Sequence, residues 1–415
     1  MTTDSRTLYT TLLGLKAPWE IEDVAMDRKL GEVRVRVALP VKTRWVCPDC
    51  LKPAPIHDHQ ERSWRHLDTC QYRTVVVARV PRLSCPDHGI RQLPVPWAEP
   101  GSRFTAMFEA LAIDWLRQAS IKAVAKQLRL SWGEAAGIQT RAVQRGLARR
   151  VLVAPKYVGV DETSFQKRHE YVTVVSDLEE TQVLYVADDR TQASLDGFWT
   201  GLPREQLNSI EAVAMDMCTP YIQSTMLNVP AADEKIVFDK FHIAQLLNKA
   251  VDQIRRREHS RLSAKGDSTL KGTKYDWLRH PGELDLAAAR EFAALRARVH
   301  RVARAWELKE IAMAIFDRKA AWAARRDFAD WYQWAIRSQL EPIKRAARTL
   351  KKYWDQIENY FRHRITNAGA EGINGQIQRM KGRACGFRSR ERFRMAIYFH
   401  CGGLDLYPGS LSRGQ

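Results

Sequence analysis

Two aspartates follow apolar runs that are typical of buried β-strands. Asp161 ends the run that begins at Tyr157, and Asp216 ends the run that begins at Ile210. Two carboxylates brought together repel each other unless cations bridge them, and hard oxygen ligands suit Mg²⁺ or Mn²⁺. A site with two such ions activates a water or a 3′-hydroxyl for in-line displacement at phosphorus. Taken singly, each aspartate could instead cap the helix that follows its strand.

A third acid for such a site is available in the helical C-terminal part of the chain, where Glu371 is the candidate. Between residues 367 and 384 the apolar side chains form one stripe of a helix, and polar side chains form another at spacings of three and four residues. The polar stripe consists of Glu371, Asn374, Gln378 and Lys381. Such a helix can pack on a sheet and offer a carboxylate at its start. On spacing alone, an amphipathic surface helix is the simpler interpretation.

Two short motifs have the spacing of metal-binding knuckles. Two residues separate Cys47 from Cys50, and two separate Cys85 from His88. Side chains at this spacing can point at one ion, and two such pairs complete the tetrahedral coordination that zinc prefers. The sequence therefore predicts one structural Zn²⁺, with two metal-free turns as the alternative. The fourth ligand is open, because nearby residues offer equivalent atoms: His57, His59, His66 and Cys70.

Two adjacent helices are predicted between residues 120 and 150. Ser120 can cap the first helix and Ser131 the second, with Glu134 at the capping-box position. The second helix carries side chains that can hydrogen-bond base edges or phosphates, which indicates a DNA-binding helix-turn-helix. The expected DNA contacts are Arg141, Gln144 and Arg145. An ordinary pair of packed helices with a solvated polar face is the alternative.

The elements around the two aspartates have an informative order. Three strand-like runs between residues 157 and 187 precede a helix, the strand ending at Asp216, a second helix and a strand at 235–238. The first three runs would form a meander, and the later two would be parallel additions. This is the order of the ribonuclease H-like fold, in which the first and fourth strands are neighbours. Asp161 and Asp216 would then meet at neighbouring strand ends.

The charge balance indicates the kind of partner. The 415 residues include 66 Lys and Arg against 48 Asp and Glu, a formal net charge of +18. Such an excess attracts a polyanion, and nucleic acid is the default polyanion inside a cell. No apolar run reaches the length of a membrane span, residues 1–15 lack a signal-peptide pattern, and single scattered cysteines are typical of a reducing compartment. We expect a cytoplasmic, nucleoid-associated protein with no membrane partner.

Several segments together resemble the ISL-three family of bacterial insertion-sequence transposases, and the resemblance covers nearly the whole chain. The segments are the two knuckles, 159–162, 214–217, 238–242, 367–374 and 381–388. The C-terminal part is the most specific and selects Glu371 among the available acids. The resemblance implies that Asp161, Asp216 and Glu371 form a DDE triad that holds two divalent cations.

The same resemblance implies further site residues. Asp239 and His242 are similar to a motif that follows the second aspartate in Mutator-like and hAT-like transposases, which makes His242 a candidate to orient a phosphate or a water. The basic residues expected to contact DNA are Lys381, Arg383 and Arg388. In transposases of this kind, an all-α insertion domain lies between the second aspartate and the glutamate of the triad. The tryptophans expected in its core are Trp277, Trp306, Trp322, Trp331, Trp334 and Trp354.

The sequence thus predicts a multidomain α+β protein that acts as a DNA transposase. Its expected parts are a zinc-binding module at 1–100, a helix-turn-helix region at 101–153, a ribonuclease H-like α/β catalytic domain at 154–242 plus 366–402, and an all-α insertion at 243–365. Its expected partners are double-stranded DNA, as terminal inverted repeats and as target, and further copies of the chain in a dimer or higher oligomer. A metal-dependent nuclease or resolvase of the same fold and a non-catalytic DNA-binding regulator are the alternatives.

Overall fold

The computed structural model describes residues 4–40, 45–166, 170–365 and 368–409. The chain divides into two compact units, one of residues 1–150, 383–385 and 398–415 and the other of residues 151–382 and 386–397. A chain of this length is expected to form more than one unit, because single hydrophobic cores stop growing beyond roughly 250–300 residues. No helix of the described residues is long and apolar enough to cross a membrane.

The first unit contains a five-stranded sheet followed by three helices. Its elements are α1 (Ser5–Leu12), β1 (Glu20–Asp27), β2 (Glu32–Ala38), β3 (Ile56–Arg65), β4 (Arg73–Cys85), β5 (Gly89–Gln92), α2 (Ala106–Gln118), α3 (Ile121–Gln127) and α4 (Trp132–Arg149). The strand order is β1-β2-β4-β3, with β5 paired to β4. In β2 the valines are buried and the arginines between them are exposed, because side chains alternate across a strand.

The helix starts of the first unit follow from their capping residues. The hydroxyl of Ser120 accepts a hydrogen bond from the backbone N–H of Ala123 at the start of α3. Ser131 and Glu134 form a complete capping box at the start of α4, in which each side chain accepts from the other residue's backbone N–H. The predicted pair of helices and both predicted caps are therefore confirmed.

The second unit contains a five-stranded mixed sheet. Its strands and the helices between them are β6 (Tyr157–Gln166), β7 (Glu170–Asp177), β8 (Gln182–Ala187), α5 (Gln192–Trp199), α6 (Arg204–Ser209), β9 (Ala212–Met215), α7 (Thr219–Asn228), α8 (Ala232–Lys235) and β10 (Ile236–Phe238). The strand order is β10-β9-β6-β7-β8. The first three strands form an antiparallel meander, and β9 and β10 add in parallel beside β6. This is the topology that the order of elements predicts.

Helices make up the rest of the second unit, and the last residues of the final two, Arg383 and residues 398–401, belong to the first unit. They are α9 (Lys240–Ser263), α10 (Leu286–Arg298), α11 (His300–Ala314), α12 (Ala321–Arg337), α13 (Glu341–Lys352), α14 (Trp354–His363), α15 (Ala368–Arg383) and α16 (Arg390–Cys401), with short 3₁₀ helices at Tyr275–Trp277, Pro281–Glu283 and Ile315–Asp317. Asn359 of α14 donates to the carbonyl oxygens of Asp233 and Ile236 at 2.7 and 2.9 Å, which holds α14 against β10. Residues 243–365 are helical as predicted, and the domain boundaries stay predictions.

The tryptophans of these helices only partly follow the prediction. Trp277, Trp306, Trp331 and Trp354 are buried. Trp322 and Trp334 of α12 are 70% and 39% exposed. The buried stripe of α12 is formed by other residues, Ala324, Phe328, Trp331 and Ala335. The residue type therefore predicted burial correctly for four of these six tryptophans.

Candidate active site, zinc site and helix-turn-helix

The strand register brings the two aspartates side by side. β6 and β9 pair in parallel, and Val160 is opposite Met215. The next residue on each strand is an aspartate, Asp161 in β6 and Asp216 just after β9. Since residues in equivalent positions of paired strands share a face, the two carboxylates point to the same side of the sheet. The predicted meeting of the two acids is confirmed.

Asp161 is held at both carboxylate oxygens. Oδ1 accepts from the backbone N–H of Glu162 at 2.7 Å, and Oδ2 accepts from Nδ2 of Asn374 at 2.7 Å. Burial, with the negative charge of Asp216 adding to it, raises the pKa of Asp161 to about 7, although the Glu162 amide opposes the rise. Two carboxylates side by side favour either a proton or a cation between them.

Asp216 has a histidine neighbour on α9. Asp239 caps this helix by accepting from the backbone N–H of Phe241 at 3.0 Å, and His242 follows in the first turn. Nε2 of His242 lies 2.5 Å from Oδ1 of Asp216. Burial works against a charged ring, but the bond to Asp216 and the charges of Asp239 and Asp161 raise the pKa of His242 above its usual range. The His242 ring thus lies against one oxygen of the Asp216 carboxylate.

The polar stripe of α15 lies along β6. Asn374 donates to Asp161, Nε2 of Gln378 donates to the hydroxyl of Thr163 at 3.1 Å, and Nζ of Lys381 donates to the carbonyl oxygen of Ser164 at 2.7 Å. Glu371 is exposed and lies one helical turn before Asn374 in the same stripe. The same face of α15 therefore carries both Glu371 and Asn374, the residue that contacts Asp161. Asn367, where the resembling run begins, lies outside the described residues.

Two glycines pack against Leu178, one in β6 and one at the start of α15. A Cβ atom at Gly369 would lie 3.2 Å from the carbonyl oxygen of Leu178, just after β7. A Cβ atom at Gly159 would lie 2.6 Å from Cδ2 of Leu178 and 2.7 Å from Oγ of Ser176. A side chain at position 159 would clash with Leu178 and Ser176, and one at position 369 would crowd the Leu178 backbone, so Gly369 permits the first turn of α15 to lie close to Leu178.

One basic residue near the acids was not indicated by the sequence. Nε of Arg190 lies 2.6 Å from Oε2 of Glu162, on the residue next to Asp161. Burial raises the pKa of Glu162, Arg190 opposes the rise, and Asp216 adds to it. Arg190 follows β8 in a loop that carries no periodic pattern, so only the folded chain shows its proximity to Glu162.

The four predicted zinc ligands form one cluster. Their ligand atoms all lie within 4.8 Å of one another. A tetrahedral zinc site has S···S edges of about 3.8 Å and S···N edges of about 3.5 Å, from bond lengths of about 2.3 and 2.05 Å. Sγ of Cys50 lies 3.7 Å from Sγ of Cys85, and Nδ1 of His88 lies 3.5 Å from Sγ of Cys85 and 3.9 Å from Sγ of Cys47. The geometry fits one structural zinc ion with His88 as the fourth ligand.

Charged pairs join the two knuckles. Nζ of Lys52 lies 2.7 Å from Asp87, and Nε of Arg91 lies 2.7 Å from Asp49, so each pair links one knuckle to the other. The backbone N–H of Cys50 outweighs burial and lowers the pKa of the Cys47 thiol to about 7. A thiolate is the form that binds zinc, so this hydrogen bond favours metal binding.

The helix-turn-helix directs two of its arginines inward. Nε of Arg141 donates to Glu109 at 3.0 Å, and Nη2 of Arg145 lies 2.9 Å from the same carboxylate, which is buried in α2. Arg145 also pairs with Glu99 and is itself only 7% exposed. These ion pairs give Arg141 and Arg145 a packing role, whereas Gln144 is exposed. That these three residues contact DNA stays a prediction.

The C-terminal basic residues differ in their surroundings. Lys381 contacts β6, and Nη1 of Arg383 donates to the carbonyl oxygen of Gln118 at 3.0 Å. Arg388 is exposed. Their contacts with DNA also stay predictions.

Three family models match successive parts of the chain. Residues 43–88 match the zinc-finger of transposase IS204/IS1001/IS1096/IS1165, which covers all four cluster residues. Residues 93–143 match the helix-turn-helix domain of transposase family ISL3. Residues 158–397, more than half of the chain, match the transposase domain of the same family. The zinc module, the helix pair and the sheet with its acids are thus matched separately.

Curated relatives match over most of their length. The transposase for insertion sequence element IS1557 of Mycobacterium tuberculosis is 26% identical, and the alignment covers 98% of both chains. The transposase for insertion sequence element IS1001 of Bordetella parapertussis is 27% identical over 86% of this chain and 89% of the relative. Together with the match over residues 158–397, these findings show that the chain belongs to the ISL3 family of transposases, enzymes that cleave and transfer DNA.

Proposed function

We propose that this chain binds the ends of an insertion-sequence element and catalyses metal-dependent cleavage and strand transfer there, with Asp161, Asp216 and Glu371 as the catalytic acids. The register that places Asp161 beside Asp216 is the observation that carries the proposal. The α15 stripe supports Glu371 as the third acid, because it lies one turn before the residue that contacts Asp161.

The donor set fits divalent cations. Carboxylate and amide oxygens are the ligands that Mg²⁺ and Mn²⁺ prefer, and Oδ1 of Asn374 is buried without a hydrogen-bond partner among the described residues. Asp161, Asp216 and Glu371 would together hold these ions. Two ions held there would supply activation of a water or 3′-hydroxyl and stabilisation of the leaving oxygen.

The surrounding residues would keep these acids in place. Asn374 holds one oxygen of Asp161, and His242 holds one oxygen of Asp216. The contact with Asp216 raises the pKa of His242 and so favours its charged form, which would oppose the repulsion between the two carboxylates. The proposed role of His242 is therefore to position Asp216, and through it a scissile phosphate or a water.

DNA recognition would come from the helix-turn-helix and the C-terminal basic residues. Of the three helix-turn-helix residues predicted to contact DNA, Gln144 is the exposed one. Phosphates would be contacted by Lys381, Arg383 and Arg388. Joining requires that two element ends be held together, which supports a dimer or higher oligomer on DNA.

Strand transfer with labelled DNA tests this function. A duplex ending in the candidate terminal inverted repeat is incubated with the full chain, a supercoiled target plasmid and Mg²⁺. We expect label joined to the plasmid, and no joining when the metal is chelated. Cleavage without joined product would identify a nuclease or resolvase instead, and binding without cleavage would identify a regulator.

A further inference from the structure

Most of the excess positive charge lies in helices that none of the proposed roles uses. Residues 243–365 contain 27 Lys and Arg against 15 Asp and Glu, so they contribute +12 of the formal +18. No residue assigned above to catalysis, zinc or DNA contact belongs to this segment. Concentrated charge of one sign attracts a ligand of the opposite sign.

Helix α13 separates apolar and basic residues onto opposite faces. Its buried residues are Pro342, Ile343, Ala346, Ala347 and Leu350. The other face is exposed and basic, with Arg345, Arg348, Lys351 and Lys352. The apolar face packs in the core of the unit, so the basic face is left towards solvent.

A hydrogen bond joins this face to helix α9. Nη2 of Arg345 donates to Oε1 of Gln253 at 3.1 Å. Lys249 precedes Gln253 by four residues and Arg256 follows it by three, so both share its stripe of α9, and both are exposed. The two helices therefore present one surface, the α9–α13 basic face, defined by Lys249, Arg256, Arg345, Arg348, Lys351 and Lys352.

Few carboxylates neutralise this face. Asp252 pairs with Arg256 at 3.1 Å, and Glu341 pairs with Arg348 at 3.2 Å. Lys249, Arg345, Lys351 and Lys352 make no ion pair with a described residue. Every residue of α13 is described, and none is an exposed large hydrophobic side chain. An anionic membrane surface would be expected to meet apolar side chains next to the basic ones, so the face fits a hydrated phosphate backbone better.

We propose that the α9–α13 basic face is a second binding surface for double-stranded DNA, which contacts the phosphate backbone without reading sequence. Residues on successive helical turns have Cβ atoms about 5–6 Å apart, so the long arginine and lysine side chains of α13 can contact successive phosphates of one strand. The surface adds to the proposed end recognition and does not depend on the catalytic acids.

The salt dependence of binding tests this surface. The full chain is titrated onto a duplex of random sequence at several salt concentrations, and the slope of log affinity against log salt is measured. Removing four phosphate contacts should reduce the magnitude of the slope by about 3 to 4, since each contact contributes about 0.9. The variant that does this replaces four residues by alanine: Arg345, Arg348, Lys351 and Lys352.

A matched variant separates a local contact from a change in net charge. It replaces four exposed basic residues elsewhere in the same helical segment by alanine: Lys265, Lys271, Arg290 and Lys319. Its slope should change by less than 1. Equal slopes for the two variants, or an unchanged slope for the first, would overturn the proposal.

Chemical modification of the unaltered chain provides a measurement that does not depend on a variant's folding. Lysines are acetylated with and without the duplex and are quantified by mass spectrometry. DNA should protect Lys351 and Lys352 at least severalfold more than Lys265 and Lys271. Equal protection of the two pairs would contradict the proposal, as would protection by phosphatidylserine vesicles but not by DNA.

Discussion

The residues around Asp161 show how a half-buried carboxylate is kept in one orientation. The Glu162 N–H and the Asn374 amide each hold one of its oxygens, and the two donors come from distant parts of the chain. An acid that must hold a cation needs this fixed direction, because the residues behind metal ligands set their orientation. Asn374 is therefore the site residue that sequence analysis placed in a stripe without giving it a role.

Replacing Asn374 tests its contribution. Asn374→Ala should lower kcat for strand transfer by roughly 10- to 100-fold and weaken Mn²⁺ binding by a similar factor, while the KM for DNA changes little. Metal affinity is measured by electron paramagnetic resonance titration of the DNA-free protein. Gln378→Ala is the control, because Gln378 bonds Thr163 one turn further along. Similar losses in both variants would mean that Asn374 acts only in packing.

The chemistry of the zinc ligands leads to a prediction for substitutions at Cys85 and His88. Cys85→Ser should reduce zinc to well below one ion per chain and unfold the knuckles, since structural zinc contributes folding free energy. His88→Cys should keep one zinc ion, because a thiolate satisfies the same tetrahedral position. Elemental analysis of the purified chains measures both. A chain with Cys85→Ser that retains full zinc would contradict the assignment.

At the level of elements, the start of α15 depends on its contact with the sheet. Gly369→Val places branched carbons where only 3.2 Å separates a Cβ atom from the Leu178 carbonyl oxygen, so the first turn must move away. Because Glu371 lies in that turn, we expect strand transfer to fall by at least tenfold while binding to element ends is retained. Gly372→Ala is the matched control, since a Cβ atom there meets nothing within 4 Å. Normal activity of Gly369→Val would show that this contact does not position Glu371.

Local patterns predicted the elements well, and contacts between distant residues less well. Ser131 with Glu134 predicted the start of α4, because this signal involves near neighbours. The order of strands predicted that β6 and β9 would pair. By contrast, the residue type of Arg145 does not indicate whether its side chain faces DNA or the buried Glu109. The partner of Arg145 depends on how α2 packs, and no short-range sequence pattern indicates this packing.

The same limit applies to burial and to the loop residues of the site. Trp322 and Trp334 are exposed although their residue type favours the core, because the stripe of α12 that faces the core passes through other positions. Arg190 reaches Glu162 from a loop whose path follows from the packed sheet. Short-range patterns therefore located Asp161 and Asp216, the family resemblance selected Glu371, and the fold added the residues that contact them.

At the level of the whole molecule, a buried histidine should make the stability of the first unit depend on pH. Burial, with the nearby charge of Arg65, lowers the pKa of His66 to about 4. The unfolded chain has an ordinary histidine pKa and so binds more protons between pH 6.5 and 4. Stability is therefore complete above this window and is lost as pH falls through it. Between pH 7 and 5 the loss should be about 2 kcal/mol.

Denaturant unfolding of the full chain at pH 7 and pH 5 measures this effect. His66→Gln removes the titrating group and leaves an amide oxygen that can accept from Thr105, which contacts Nδ1 of His66 at 2.9 Å. The variant should lose less stability than the unaltered chain over the same interval. An identical loss in both chains would assign the pH dependence to other groups.

The central claim is that Asp161, Asp216 and Glu371 act together on DNA, and strand transfer by amide variants tests it most directly. Asp161→Asn, Asp216→Asn and Glu371→Gln each remove one negative charge at nearly constant size. Each should reduce cleavage and joining by several orders of magnitude, while affinity for element ends is kept or increased because repulsion of phosphates is relieved. Glu358→Gln is the control, since Glu358 pairs with Arg325 on the helical segment. Near-normal joining by Glu371→Gln, with joining abolished in Glu358→Gln, would contradict the account.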